Sequence, residues 1–128
     1  MSNPPQKSSA SPTAGAAGRT FRIFIPMIAR LWHGKTSIEN YDAYTDFLKE
    51  IAIPDYQKTP GFKGLSFLRR KLGDDGHFEL ITYWEDLDSI KCFAGEDYIK
   101  AKYYPEDDDF LLEFEPEVRH FDVFAQNI

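Results

Sequence analysis

The stretch FKGLSFLRRKLGDDGHFELITYW, residues 62–84, decides the fold of this chain. Two runs rich in apolar and aromatic residues, 62–71 and 77–84, flank a turn rich in glycine and aspartate, which predicts a β-hairpin. Both faces of the predicted strands carry large apolar side chains, whereas one layer of helices can cover only one face of a sheet. We therefore predict that something else covers the second face, and a second copy of the chain is the simplest candidate.

A helix is predicted on each side of this hairpin. The capping-box pattern at residues 36–39 predicts the start of the first helix, and Pro54 predicts its end at Ile53, with one further turn at residues 55–58. Apolar residues at spacings of three and four predict its buried face: Ile38, Tyr41, Tyr44, Leu48 and Ile51. After the hairpin, Asp86 and Gly95 predict the ends of a short helix that buries Leu87, Ile90 and Phe93. Further helical turns are predicted at residues 97–103 and 105–112.

Strands at the two ends complete the pattern. Residues 27–33 are predicted as the first strand and residues 118–125 as the last. The order strand, helix, strand, strand, helix, strand is the split βαβ or ferredoxin-like arrangement (βαββαβ). We therefore predict one α+β domain over residues 27–125. Residues 1–26 are predicted to form a disordered extension, although their lack of acidic residues is also seen in organellar transit peptides.

Composition and charge exclude several classes of function. The net charge of -6 argues against nucleic acid or an anionic membrane as a partner, and no apolar run approaches the roughly 20 residues of a membrane span. Cys92 is the only cysteine, which excludes an internal disulfide and fits a reducing compartment such as the cytoplasm. The aromatic content of 16% suits either a dimer interface or a pocket for a flat ligand.

Three stretches of the chain resemble a known family. MIARLWHG at residues 27–34 is similar to its first strand, and FAGEDY at 93–98 and YYPEDDDF at 103–110 are similar to a stretch of one subgroup. The family is the antibiotic biosynthesis monooxygenase-like domain family of the dimeric α+β barrel superfamily, and the resemblance covers about residues 27–125. It implies a homodimer in which two four-stranded sheets form one barrel. It also implies a cleft between sheet and helices, where some members oxidise a small phenolic compound with dioxygen and without a metal, flavin or other cofactor.

Other members of the family cleave haem, and their sequence pattern can be compared with this chain residue by residue. For the haem-cleaving branch, the pattern that a similar sequence should show is an Asn in the first strand, a Trp in the second helix and a His ten residues later. This chain has no Asn in the first strand, Phe93 at the Trp position and Lys102 or Tyr103 at the His position. The resemblance therefore favours a phenolic compound over haem.

The predicted topology also indicates where chemistry could occur. We predict the strand order fourth, first, third, second, with the first and third strands parallel. Three pairs of residues then meet at one end of the sheet: Trp32 and His33, Tyr83 and Trp84, and Arg119 and His120. An imidazole can remove a phenol proton near neutral pH, and Arg30 or Arg119 can stabilise the oxyanion that forms.

Strand alternation separates these candidates, because adjacent residues point to opposite faces. Met27, Ala29, Leu31 and His33 share one face, which we predict to form the floor of the cleft, with His33 as the base and His120 as the second candidate. Each histidine also has a purely structural interpretation, in which His33 bonds to a backbone carbonyl and His120 lies in a solvated, ion-paired strand. The candidate ligand-binding aromatic residues, which could equally be packing residues, are Trp32, Tyr83, Trp84, Phe93, Tyr103 and Tyr104.

Two alternatives from other functional classes remain open. One is a non-catalytic dimer that binds a small ligand or acts as a scaffold. The other is a metal site built from His33, His120 and Asp122, although these residues do not have the short spacing of a known metal motif. The acidic run at residues 106–109 is better explained as the first turn of a helix, where carboxylates complement the helix dipole. We therefore predict no metal and no cofactor.

Overall fold

The computed structural model describes residues 26–128. In chain order its elements are β1 (Met27–Ser37), a 3-10 turn (Ile38–Asn40), α1 (Tyr41–Phe47), a π-helical turn (Leu48–Ala52), α2 (Ile53–Gln57), β2 (Phe62–Leu72), β3 (Asp75–Trp84), α3 (Leu87–Ala94), a second 3-10 turn (Pro105–Asp109) and β4 (Arg119–Val123). The α+β class and the βαββαβ order are as predicted. The predicted N-terminal extension lies outside the described residues, apart from Pro26.

The four strands form one antiparallel sheet in the order β2-β3-β1-β4. The predicted order is confirmed, but the prediction that the first and third strands are parallel was wrong. Both β1 and β2 run against β3, so the helical connection joins two parallel strands and the hairpin inserts β3 between them. As a result, Lys35 pairs with His77 and Ile28 pairs with Trp84. The end of β1 that carries His33 therefore meets His77, and Tyr83 and Trp84 lie at the other end.

β1 is longer than predicted, because β3 pairs with it as far as Ser37. The strand does not end at Gly34, and the predicted capping box does not form. Ser37 precedes the first helical turn without a side-chain capping bond, and the hydroxyl of the fully buried Thr36 donates to the Ser37 carbonyl oxygen over 2.8 Å.

The first helical segment continues through Pro54, so the prediction that it ends at Ile53 was wrong. Pro54 lies in the first turn of α2, directly after the π-helical turn. A π turn already departs from the usual hydrogen-bond ladder, and a proline at the start of a new helical turn loses no bond. The wider turn also shifts the buried face. Ala52 and Tyr56 are buried, whereas Ile51 is 44% exposed, contrary to prediction.

α3 begins and ends as predicted, but the structure of the chain after it differs from the prediction. Asp86 accepts a hydrogen bond from the Ser89 backbone N–H at 2.9 Å, and Gly95 ends the helix at φ 94°. Residues 97–103 are not helical, because Lys100 forms a bridge with Glu117 and this stretch pairs with the chain before β4. The turn that begins at Pro105 ends at Asp109 and does not reach Leu112.

The core lies between the sheet and the helices. Its least exposed large side chains, all under 2% exposed, include Trp84, Tyr44, Phe78 and Ile90. The opposite face of the sheet, which we call the open face, carries Leu68, Leu72 and Phe121 at 51%, 52% and 52% exposure. Among the described residues, no helix combines the length and the apolar character that crossing a bilayer requires.

Candidate functional site

β1 turns Ile28, Arg30 and Trp32 toward the helices. Arg30 is 3% exposed and Trp32 is 6% exposed, and Trp32 belongs to the main core. The prediction that Met27, Ala29, Leu31 and His33 form the floor of the cleft was therefore wrong. The two largest side chains of the strand occupy the covered face, because that is where their surface can be removed from water. His33 lies on the open face and contacts Glu115 and His77 in place of a backbone carbonyl.

Arg30 and His120 meet on the covered face. The two residues pair across β1 and β4, and an Nη1 N–H of Arg30 points to Nε2 of His120 at 3.1 Å. Arg30 also donates to the backbone carbonyl oxygens of Tyr98 at 2.6 Å and Lys100 at 3.2 Å. Two of the three residues predicted to be catalytic, Arg30 and His120, are therefore in direct contact, and His33 is separated from them by the sheet.

The surroundings of this pair decide its protonation. Burial, with a smaller contribution from the positive charge of Arg30, lowers the pKa of His120 below its ordinary value of 6.5. Burial also lowers the pKa of Arg30, yet a guanidinium starts from so high a value that it stays charged. No carboxylate forms a salt bridge with Arg30 among residues 26–128. The site thus combines a neutral imidazole with a buried cation that has no ionic partner within the described residues.

Tyr98 completes the surroundings of His120. Its ring meets the imidazole edge to face, with centroids 5.3 Å apart. Tyr98 lies in the segment of residues 95–104 that follows α3, and the backbone of this segment is held to the chain before β4 by the bonds from Ala101 to Pro116 and from Val118 to Ile99. Pairing between these two segments therefore places Tyr98 over the half-buried imidazole.

Next to Trp32 the space between sheet and helices is almost completely filled, with a cavity of only about 10 Å³ bordered by Trp32, Tyr56, Tyr104, Lys102 and Asp107 among others. A wider groove of about 220 Å³ opens at the β2 edge, and its lining includes Leu48 and Ile53 of the helical layer and Phe67 of the sheet. The indole N–H of Trp32 is buried and has no hydrogen-bond partner within the described part of the chain. An unpaired buried donor is costly, so the surroundings of this indole favour a hydrogen-bond acceptor.

Two carboxylates hold the tyrosines around this cavity. Asp107 accepts from the Tyr44 hydroxyl at 2.9 Å and from the Tyr104 backbone N–H at 2.7 Å. Asp55 accepts from the Tyr104 hydroxyl at 2.6 Å and from the Lys102 ammonium at 3.2 Å. Burial opposes ionisation of Asp55, but these hydrogen bonds outweigh it and keep its pKa below the usual value. Burial raises the pKa of Tyr44 and of Tyr104 far above the ordinary range, so both remain neutral donors.

The remaining predicted aromatic residues divide between the two faces, as alternation requires. Trp84 is fully buried and donates its indole N–H to Thr82 at 2.8 Å, so it is a core residue. Phe93 stacks on Tyr56 with centroids 4.4 Å apart. The Lys102 ammonium lies over the Phe93 ring, 4.0 Å from its centroid. Tyr83 lies on the open face, opposite Gly64 of β2, and is separated from the cleft.

Tyr103 and Tyr104 lie at the edge of the cleft. The Tyr103 hydroxyl donates to the Glu115 carbonyl oxygen, and its ring meets Trp32 edge on with centroids 6.0 Å apart. Burial raises the pKa of Tyr103 to about 12. Each tyrosine is tied down by a hydrogen bond of its hydroxyl.

The metal site proposed from the sequence does not form. His33 lies on the open face, whereas His120 is in contact with Arg30 on the covered face. Across residues 26–128, no group of three His, Cys, Asp or Glu residues is arranged to hold a metal ion. Within the acidic run, Asp107 is buried as the acceptor for Tyr44 and Tyr104, a role that its position in the sequence does not reveal.

Solved structures share this architecture. A protein of unknown function from Nitrosomonas europaea matches with a TM-score of 0.62 and 16% identity, covering 81% of this chain and 95% of that one. An antibiotic biosynthesis monooxygenase-like protein from the same organism matches with a TM-score of 0.56 and 9% identity, covering 82% and 96% of the two chains. A protein of the same description from Bacillus cereus matches with a TM-score of 0.50 and 17% identity, covering 82% and 99%.

This chain has the antibiotic biosynthesis monooxygenase-like fold. The sequence resemblance to that group is confirmed at the level of the fold. No family model matches the sequence, and no curated protein matches it significantly. At 9% to 17% identity the likeness concerns the architecture, so the chemistry has to be argued from this chain's own residues.

Proposed function

We propose that this antibiotic biosynthesis monooxygenase-like chain forms a homodimer that binds a small phenolic compound on the covered face of its sheet and oxidises it without a cofactor. The contact between the buried Arg30 and the half-buried His120 carries this proposal. The fold shared with monooxygenase-like proteins supports it. The single cysteine, Cys92, fits a reducing compartment, and we propose a cytoplasmic location.

The Arg30–His120 pair suits a phenol because the two residues act on the two forms of the substrate. The lowered pKa of His120 keeps the imidazole neutral at physiological pH. Once a phenol displaces the imidazole from Arg30, the lone pair of Nε2 can accept the phenol proton. The guanidinium can then stabilise the phenolate oxygen by a charge-assisted hydrogen bond. Since no carboxylate of the described residues neutralises Arg30, an anionic ligand supplies the charge that the site lacks. The electron-rich phenolate is the form that can pass an electron to dioxygen.

Access to the site requires movement of the segment of residues 95–104. This segment covers β1 and is held in part by the hydrogen bonds from Arg30 to Tyr98 and Lys100. A phenolate on Arg30 would compete with these two backbone carbonyls for the same donors. We therefore expect ligand binding and displacement of the segment to be coupled, with the aromatic ring entering beside Tyr98 and Trp32.

The proposal can be tested with para-nitrophenol, whose anion absorbs visible light and whose neutral form does not. We expect the protein to raise the fraction of anion at a pH where the free compound is mostly neutral. Arg30→Met should abolish this spectral change, and Arg30→Lys should retain part of it because a charge remains. His120→Gln should weaken it at least several-fold. His33→Gln is the matched control, because that imidazole lies on the opposite face. An equal spectral change in the wild type and in Arg30→Met would refute the proposed site.

A second candidate function is a non-catalytic dimer that binds a ligand or a partner. The close packing around Trp32, where the cavity measures only about 10 Å³, favours this alternative. Oxygen uptake with a hydroquinone as substrate separates the two candidates. Uptake that is lost in His120→Gln supports the monooxygenase, whereas a spectral change with para-nitrophenol but no oxygen uptake with any hydroquinone supports the binding protein.

A further inference from the structure

Two histidines face each other on the open face of the sheet, away from the Arg30–His120 pair. Nε2 of His33 lies 3.1 Å from Nδ1 of His77, and the two rings are stacked with centroids 5.4 Å apart. They come from β1 and β3, which are neighbouring strands. Both rings border a groove of about 340 Å³ that is also lined by Arg70 and Glu79.

Glu115 fixes the orientation of the first histidine. Its carboxylate contacts Nδ1 of His33. A carboxylate at that position holds the proton on Nδ1, so that the lone pair of Nε2 faces His77. A carboxylate on the far nitrogen is also the usual way in which proteins orient a histidine that binds a metal ion.

Glu79 supplies an independent indication of a cation in this groove. One carboxylate oxygen of Glu79, Oε1, is buried and has no hydrogen-bond partner within residues 26–128. Glu79 pairs with His33 across β1 and β3 and shares the groove with both imidazoles. A buried carboxylate oxygen is stable only beside a hydrogen-bond donor or a positive charge. Glu79 shares the groove with the two imidazoles, and a metal ion that carries water would supply the missing donor there.

We propose that His33 and His77 bind a divalent transition metal ion of the zinc, nickel and copper class. Imidazole nitrogen suits these ions, and metal–nitrogen bonds of about 2.0–2.1 Å place two such nitrogens about 2.9–3.3 Å apart, which includes the observed 3.1 Å. Water molecules complete the coordination, Glu79 accepts a hydrogen bond from one of them, and Glu115 orients His33 from the outer shell.

The site takes two ligands from the protein, which is consistent with the lack of any three-residue metal group among the described residues. Its affinity is therefore lower than that of a closed four-ligand zinc site. Both nitrogens belong to one chain, and neither contacts Arg30 or His120. The proposal consequently does not depend on the proposed oxidation, although the two histidines lie on the face that we propose to be covered in the homodimer.

Calorimetric titration of the full chain with nickel chloride tests the site. We expect one nickel ion per chain, and His33→Gln and His77→Gln should each weaken binding by about ten-fold or more. Glu115→Gln should weaken it by about 10–100-fold through the loss of outer-shell orientation. His120→Gln and Cys92→Ser are the controls and should bind nickel as the wild type does. Far-ultraviolet circular dichroism shows whether each variant is folded. Absence of nickel binding, or equal affinity in the wild type and in both His33→Gln and His77→Gln, overturns the proposal.

Discussion

His120 shows how one side chain links the site to the stability of the whole domain. Its pKa is lowered below 6.5 by burial and, to a smaller extent, by the charge of Arg30. In the unfolded chain this imidazole binds a proton more readily than in the folded protein. Below about pH 6.5 the unfolded state therefore holds more protons, and the free energy of unfolding decreases as the pH falls.

We predict that His120→Gln removes part of this pH dependence. Glutamine does not titrate, so the loss of stability on acidification from about pH 7.5 to about pH 5.5 should be smaller in the variant than in the wild type. Urea unfolding at several pH values gives the two curves. If the curves of the two proteins run parallel over this range, His120 is not held neutral by its surroundings.

At the scale of the element, the short turn of Pro105–Asp109 is attached to the first helical segment by one carboxylate. Asp107 accepts from the Tyr44 hydroxyl of α1 with one oxygen and from the Tyr104 backbone N–H with the other. An asparagine has only one oxygen and would direct its NH₂ group at one of these two donors. We predict that Asp107→Asn lowers the free energy of unfolding by about 1–3 kcal/mol, because a buried donor loses its acceptor.

Asp108→Asn is the matched control for this prediction, since Asp108 lies next in the chain and is exposed. We expect Asp108→Asn to change the free energy of unfolding by less than about 0.5 kcal/mol. Tyr44→Phe should cost about 0.5–1.5 kcal/mol, since one carboxylate oxygen loses a single hydrogen bond. Chemical denaturation of the three variants measures these effects, and similar losses for Asp107→Asn and Asp108→Asn would contradict the assigned role.

The elements also show what the sequence could and could not predict. Alternation and helical spacing were sufficient for the order of the elements, and that order implied the strand order. The capping preference of aspartate was sufficient for Asp86 as the N-cap of α3. The π turn before Pro54 could not be read from the apolar spacing, so Ile51 was wrongly assigned to the core. Such a turn depends on packing against the sheet rather than on a local motif.

Only part of the candidate site could be predicted, because the sequence does not show which residues of different strands are in contact. Arg30 and His120 were both named from the sequence, but their contact depends on the register between β1 and β4. The prediction placed His33 on the covered face, which is wrong. The large side chain of Trp32 is buried instead, and this decides which side of β1 the helices cover. Asp55 and Asp107 gave no sequence signal that distinguished them from surface carboxylates.

At the scale of the whole molecule, one side of the sheet lacks a covering layer. The helices pack on one face only, and the open face exposes Leu68, Leu72 and Phe121. Exposed apolar side chains concentrated on one face of a sheet favour burial against another surface. This apolar surface includes both edges of the sheet, because Leu68 and Leu72 belong to β2 and Phe121 belongs to β4, where it pairs with Ala29 of β1.

We predict that this face makes the protein a dimer and that Phe121→Lys converts it to a monomer. A lysine within an apolar interface would bury a charge without a partner, which costs several kcal/mol. Ile51→Lys is the matched control, because Ile51 is 44% exposed and Phe121 is 52% exposed, but Ile51 lies in the helical layer. Sedimentation velocity should give twice the 14.8 kDa chain mass for the wild type and for Ile51→Lys, and the mass of one chain for Phe121→Lys. A wild type that sediments as one chain at micromolar concentration would exclude the barrel-forming dimer.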